Sequence, residues 1–308
     1  MKIMKFLIIM LIIILIVLAI LYFVVGNYFY NIALNPNTSK SDVLGEIVEV
    51  PEPEETWLSK NSEDVYITAS NNGNLRLHGY EIKNLRESNV WAIVVHGYYG
   101  QGKDMEYYAE QYFNRGYNVL LVDLRAHGKS QGDYIGMGWH DRLDLIDWAN
   151  YLINKDSNCQ IILHGVSMGA ATVMMTTGES LPSNIKVAIE DCGYSSIWDE
   201  FEMQLKVLYD LPAFPVLNAA SAVCKIRTGY MIEEGSAVEQ LKKSKTPTLF
   251  IHGDQDRFVP FEMLDVLYDA AACEKQKLVV KGAAHAESVG VNPELYWRTI
   301  DEFIEKYI

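Results

Sequence analysis

The sequence predicts an α/β domain built on a mostly parallel, eight-stranded sheet flanked by helices and held behind a membrane-spanning helix. Three observations predict it. From about Asp64 onward, short apolar runs alternate with longer amphipathic stretches, the rhythm of strand and crossover helix. The later runs are almost wholly apolar, as parallel strands covered on both faces are. A separate apolar run, Phe6 to Val25, stands alone at the N-terminus.

That first run follows Lys2 and Lys5, and at 1.5 Å per residue its length of about 20 residues matches a hydrocarbon core of about 30 Å. It exceeds the 7–15 apolar residues of a cleaved signal, and "VVGNYFYNIA" offers no small-residue cleavage site. Residues 1–25 therefore read as an uncleaved anchor. The two lysines keep the N-terminus cytoplasmic and place the bulk of the chain outside the cell membrane. Tyr22, Tyr28, Phe29 and Tyr30 suit an interfacial aromatic belt. Residues 26–60, with "NPNTSKSD" and "EVPEPEETW", read as a solvated stalk or linker, which leaves 61–308 as the globular domain.

Within it the expected strands are "VYITAS", "LRLHGYEI", "VWAIVVH", "YNVLLVDL", "CQIILHG", "KVAIED", "PTLFIHG" and "KLVVKG". Helical patterns fall around 103–115, 138–154, 168–179, 260–272 and 292–307; the second brings Leu143, Ile146, Trp148 and Leu152 to one apolar face. From about 194 to 244 the rhythm breaks into a long excursion containing Pro212 and Pro215. It is expected to form a small helical cap over the C-terminal edge of the sheet, where α/β proteins bind ligands.

Composition narrows the function. The net charge is −14, and beyond the two N-terminal lysines 24 basic residues face 40 acidic ones. Nucleic-acid binding needs a basic surface, so it is excluded as an expectation. Cys159, Cys192, Cys224 and Cys273 form no C-x-x-C pair, which argues against a zinc or redox site and favours buried thiols; a Cys192–Cys224 bridge stays open.

"HGYYGQGKD" (96–104) has the spacing of a nucleotide-binding loop, after a strand and before a helix. Such a loop needs a hydroxyl after Lys103 to hold magnesium, and Asp104 stands there instead. No nucleotide is expected. Asp104 suits the first turn of a helix.

"ILHGVSMGAA" carries the chemistry. Gly165-Val166-Ser167-Met168-Gly169 is G-x-S-x-G between a strand and a helix. The turn is so sharp that side chains two before and two after the serine would collide with strand or helix. It lifts the Ser167 hydroxyl above the sheet, at a helix N-terminus. A serine needs a base and an orienting carboxylate. "LFIHGDQDRFVP" places Asp254 and Asp256 after the seventh strand, and "VVKGAAHAES" places His285 after the eighth. Spacing alone leaves the two aspartates open. The other histidines have structural readings, with His127 bracing a loop. Backbone N–H groups of Met168, and of Tyr98 in the loop after the third strand, are the expected oxyanion donors.

Together "VVHGYYG", "LLVDLRAHGKSQG", "ILHGVSMGAA", "LFIHGDQDRFVP" and "VVKGAAHAES" resemble an α/β-hydrolase over residues 61–308, most of all the esterase/lipase-like, serine-aminopeptidase-like branch of membrane-anchored bacterial serine hydrolases. The resemblance implies an α/β-hydrolase fold, a Ser167–Asp256–His285 triad, with Asp254 left as a loop residue, and an oxyanion loop at Tyr98. It implies hydrolysis of carboxylic esters without cofactor or metal. A serine peptidase, a thioesterase and a non-catalytic binding module are the alternatives. The aromatic-rich cap offers Trp198 and Phe201, with Tyr99 at the mouth, as a pocket for a small ester or acyl substrate, lipid-like given the tether.

Overall fold

All eight apolar runs form strands, and they join into one sheet in the order β1-β2-β4-β3-β5-β6-β7-β8. This computed structural model describes residues 2–41, 55–71 and 74–308; most of the expected stalk lies outside them. After a short helix α2 (Trp57–Asn61), β1 (Glu63–Thr68) and β2 (Arg76–Ile82) pair antiparallel, and β2 runs antiparallel to β4 (Asn118–Val122). β3 (Val90–Val95), β4, β5 (Gln160–Val166), β6 (Ile185–Asp191), β7 (Thr248–Gly253) and β8 (Lys275–Val280) are all parallel. Their C-terminal ends therefore share one edge.

The near-continuous apolar runs bury both faces of the sheet. Ile93, Val95, Ile161 and Leu163 point to one core, and Ala92, Val94 and Ile162 to the other. The first core is closed by α4 (Asp141–Lys155), α5 (Met168–Thr177) and α9 (Glu262–Ala270). The second is closed by α3 (Glu106–Asn114), which follows a 3-10 turn at Gly102–Met105, and by α11 (Pro293–Ile304). A short α10 (Ser288–Val291) precedes α11, whose start is set by Pro293 and by Asn292, which accepts the Leu295 N–H.

The expected apolar face of α4 is corrected. Leu145, Trp148, Ala149 and Leu152 are buried, whereas Leu143 and Ile146 are only half-buried. The inner stripe also carries Asp144, because the buried Arg125 guanidinium donates to both of its oxygens at 2.7–2.8 Å. An ion pair, invisible to apolar periodicity, rotates the helix.

Between β6 and β7 the chain is helical. α6 (Ile197–Tyr209) is capped by Ser196, which accepts the Asp199 N–H at 3.0 Å. α7 (Ala213–Thr228) ends at Gly229, whose φ of 86° stops the helix, and α8 (Ala237–Leu241) leads into β7.

The N-terminal helix α1 (Lys2–Leu34) is long and apolar enough to cross a membrane. The helix runs nine residues past Val25, into the region read as stalk. Gly26, Tyr30 and Leu34 recur every fourth residue and are buried, one stripe of a helix. Gly26 lies so close to α7 that a Cβ would stand 2.3 Å from the Ala219 carbonyl oxygen. The aromatic-belt expectation thus divides. Tyr22 and Tyr28 are exposed, while Tyr30 and Phe29 turn into the protein.

Candidate active site

β5 ends in the turn at Ser167, which adopts φ 57°, ψ −119° as the cap residue of α5. A non-glycine residue there is strained, at a cost on the order of 1–3 kcal/mol. Its surroundings impose the strain. A Cβ on Gly165 would stand 2.1 Å from the Gly169 carbonyl oxygen, and one on Gly169 would stand 2.2 Å from that of Val95. Both glycines of the motif are therefore required by close approach, one to the helix and one to the neighbouring strand. The Ser167 N–H is tied to the Asp191 carbonyl at 2.8 Å, and its carbonyl accepts from Ala171.

Three strand ends meet at this turn. Ser167 Oγ lies 2.8 Å from His285 Nε2, and His285 Nδ1 lies 2.8 Å from Asp256 Oδ2. Both distances are full hydrogen bonds. Asp256 Oδ1 accepts the Phe258 and Val259 N–H groups at 2.9 Å each, and His252 Nε2 stands 3.3 Å from Oδ2. Burial would raise the Asp256 carboxyl, but the hydrogen bonds and charges of His252 and His285 outweigh it and hold it at about 2. Phe258 lies against the imidazole, ring centres 4.9 Å apart.

Asp254, the other aspartate of the loop, accepts the Gly282 N–H at 2.7 Å and ties the β7 loop to the β8 turn. His96 and His127 are loop braces. His96 accepts the Leu124 N–H and holds the Gly97 carbonyl, and His127 reaches the Arg125 carbonyl. The "HGYYGQGKD" loop is pinned from within: Asp123 accepts the Gly102 N–H at 2.6 Å, and Asp104 accepts that of Gln101 at 2.9 Å. Tyr98 and Met168 both border the cavity at Ser167.

Cys192 approaches Asp256 and His285, the three ligand atoms lying within 4.8 Å. The set suits a metal poorly, since burial pushes the Cys192 thiol well above its ordinary range and the other two groups already bond each other. All four cysteines are unpaired, so the Cys192–Cys224 bridge is not formed.

The cavity beside Ser167 encloses about 860 Å³, open mouth included, and its lining is overwhelmingly apolar. Of the expected pocket residues, Phe201 lines it, with Leu205 and Leu208 further along α6. Two others are not among its lining residues. Tyr99 sits at φ 62° in a turn and is 42% exposed. Trp198 packs on the core beneath α6 and is not part of the wall.

Sequence reasoning missed two parts of this site. Glu200 lies in the wall, and burial raises its carboxyl to about 8 despite a hydrogen bond from Gln204. The other wall is the end of α1, where Phe29, Ile32 and Ala33 face the cavity. The four-residue recurrence of Gly26, Tyr30 and Leu34 was the available signal.

Comparison with known proteins agrees with this architecture. Residues 57–224 match the family described as X-Pro dipeptidyl-peptidase (S15 family), a span that contains Ser167 and stops before Asp256 and His285. YqkD of Bacillus subtilis is 29% identical over 233 residues, 74% of this chain and 76% of its own. Among solved structures, the Pyrococcus furiosus esterase Pf2001 superposes with a TM-score of 0.66 at 26% identity, covering 84% of this chain and 99% of that one. The Pyrococcus horikoshii acylaminoacyl peptidase shares the fold, with a TM-score of 0.59 at 19% identity over 80% of this chain and 42% of its own.

Proposed function

The chain belongs to the X-Pro dipeptidyl-peptidase (S15) family of α/β-hydrolase serine hydrolases, and from that premise we propose that it cleaves carboxylic esters through an acyl-enzyme on Ser167. The observation that carries the reading is the unbroken Ser167–His285–Asp256 relay, 2.8 Å at each link, beside an apolar cavity. His285 Nε2 takes the hydroxyl proton as Ser167 Oγ bonds to the ester carbon. Asp256 holds the ring through Nδ1–H and stabilises the imidazolium. The Tyr98 and Met168 N–H groups hold the tetrahedral oxyanion, each worth about 2.7–4 kcal/mol of barrier. Collapse breaks the C–O bond, and the alcohol leaves with the proton from His285. Water then gives a proton to His285, attacks the acyl carbon and frees the acid, returning the proton to Ser167.

The family's name favours a second reading, a peptidase. Against it, the cavity wall is overwhelmingly apolar, which favours an acyl chain. The chain is further proposed to hold its domain outside the cell membrane, with α1 as the anchor.

The test is a fluorophosphonate probe, followed by a panel of p-nitrophenyl esters and an X-Pro p-nitroanilide. Stoichiometric labelling lost in Ser167→Ala, with turnover of esters, is the expected result. A folded protein that takes no label would sink the serine-nucleophile reading, and anilide turnover exceeding ester turnover would select the peptidase.

A further inference from the structure

The anchor and the active site are one construction. Tyr98, beside Ser167, donates its hydroxyl to the Ala33 carbonyl at 2.7 Å, and Lys40 caps the end of α1 by donating to the Ile32 and Asn35 carbonyls at 2.6 and 2.8 Å. The Ile135 N–H reaches the Leu34 carbonyl at 2.8 Å. Arg227 of α7 bonds Asn27 and Asn31 and stacks over the Tyr30 ring. Phe29, Ile32 and Ala33 are thereby fixed in the cavity wall opposite Phe201 and Leu205.

Position along α1 then gives depth. At 1.5 Å per residue, Phe29 and Ala33 lie only about 6–12 Å beyond Val25, the end of the apolar run. A headgroup layer is about 5–8 Å thick, so Phe29 lies within it and Ala33 just beyond. Beside the apolar part of α1, Ile226 of the cap is exposed. A second hollow lies between Ile20, Phe23 and Val24 of α1 and Val223, Ile226 and Arg227 of α7, toward the membrane side of the Gly26 contact.

Resting on the ester-hydrolase reading, we propose that the substrate is an acyl lipid ester resident in the membrane that holds α1, and that its chain occupies the cavity walled by the last turns of α1. The anchor then sets chain selectivity, and the substrate reaches Ser167 without crossing water. An acyl chain that leaves the bilayer for water exposes every methylene at a free-energy cost; a cavity near headgroup depth removes that barrier. Removal of α1 as a signal peptide would strip one wall from the cavity.

The test uses the full-length chain reconstituted in phosphatidylcholine vesicles carrying a fluorogenic palmitoyl lipid ester. Hydrolysis confined to lipid in the protein's own vesicles, and not in protein-free vesicles mixed with them, is the expected result; equal rates in both populations overturn the proposal. In detergent, Ala33→Trp fills the cavity from the α1 side and is expected to lower the palmitoyl-to-acetyl ratio of kcat/KM at least tenfold. Phe29→Ala enlarges it and shifts the preferred chain length upward. Unchanged chain-length profiles in both variants overturn the proposal. Turnover of acetyl esters with no palmitoyl activity refutes the lipid substrate while leaving the ester reading intact, whereas loss of probe labelling and of all ester turnover refutes the reading itself.

Discussion

Two aspartates two positions apart in one loop show what a residue's neighbours decide. Asp256 receives two backbone N–H groups on one oxygen and His285 on the other, while Asp254 receives Gly282 and holds the loop's shape. Asp256→Asn keeps the size but presents an amide where Nδ1–H must donate, so the imidazole loses its tautomer and its charge partner. By analogy with serine proteases, kcat is expected to fall about 10⁴-fold. Asp254→Asn retains an oxygen for the Gly282 N–H and is expected to stay within about threefold of wild type. Steady-state kinetics on a p-nitrophenyl ester separate them, and comparable losses in both variants would remove Asp256 from the orienting role. Spacing alone left these two residues equivalent, because both follow β7 at positions a loop can use; only the family resemblance pointed to Asp256. Ser167 and His285 were legible since each stands alone at its strand end. Glu200 was not, as its chemistry arises from burial in a cavity wall assembled from segments distant in sequence.

Among elements, legibility followed the kind of force involved. The strands β3 to β7 were the most readable, because burial on both faces writes a continuous apolar run regardless of neighbours. The rotation of α4 was not, for it depends on Arg125, on the far side of a loop, demanding a carboxylate inside the core. The length of α1 was half readable: its apolar run gives a span long enough to cross a membrane, and the less apolar turns to Leu34 mark contact with protein. The α4 pair predicts its own cost. Arg125→Met leaves the Asp144 carboxylate buried beside Asp141 without its counter-ion. Breaking such a pair destabilises by about 3–5 kcal/mol, or roughly 10 °C in Tm for a domain of this size. Adding Asp144→Leu removes most of that buried charge and is expected to recover much of the loss. Thermal unfolding in detergent checks both. A single variant within about 1 °C of wild type would mean that the pair contributes little.

At the scale of the whole molecule, the sheet sets Ser167, His285 and Asp256 at one edge, the cap roofs it, and α1, a helix long and apolar enough to cross a membrane, closes the remaining wall. For the proposed anchor, the charges before the apolar run are Lys2 and Lys5. They predict an external domain, and the protein's own cysteines make the prediction easy to read. Cys159, Cys192 and Cys224 are buried and Cys273 is partly so, which leaves a low background for thiol reagents. Leu85 lies in the loop between β2 and β3 and is 94% exposed, so a cysteine there costs little and stands in solvent. In intact cells, Leu85→Cys is expected to react with a membrane-impermeant maleimide as fully as after lysis, while the parent protein stays nearly unlabelled. Labelling that appears only after lysis would place the hydrolase domain in the cytoplasm, so that any lipid ester it consumes comes from the inner face.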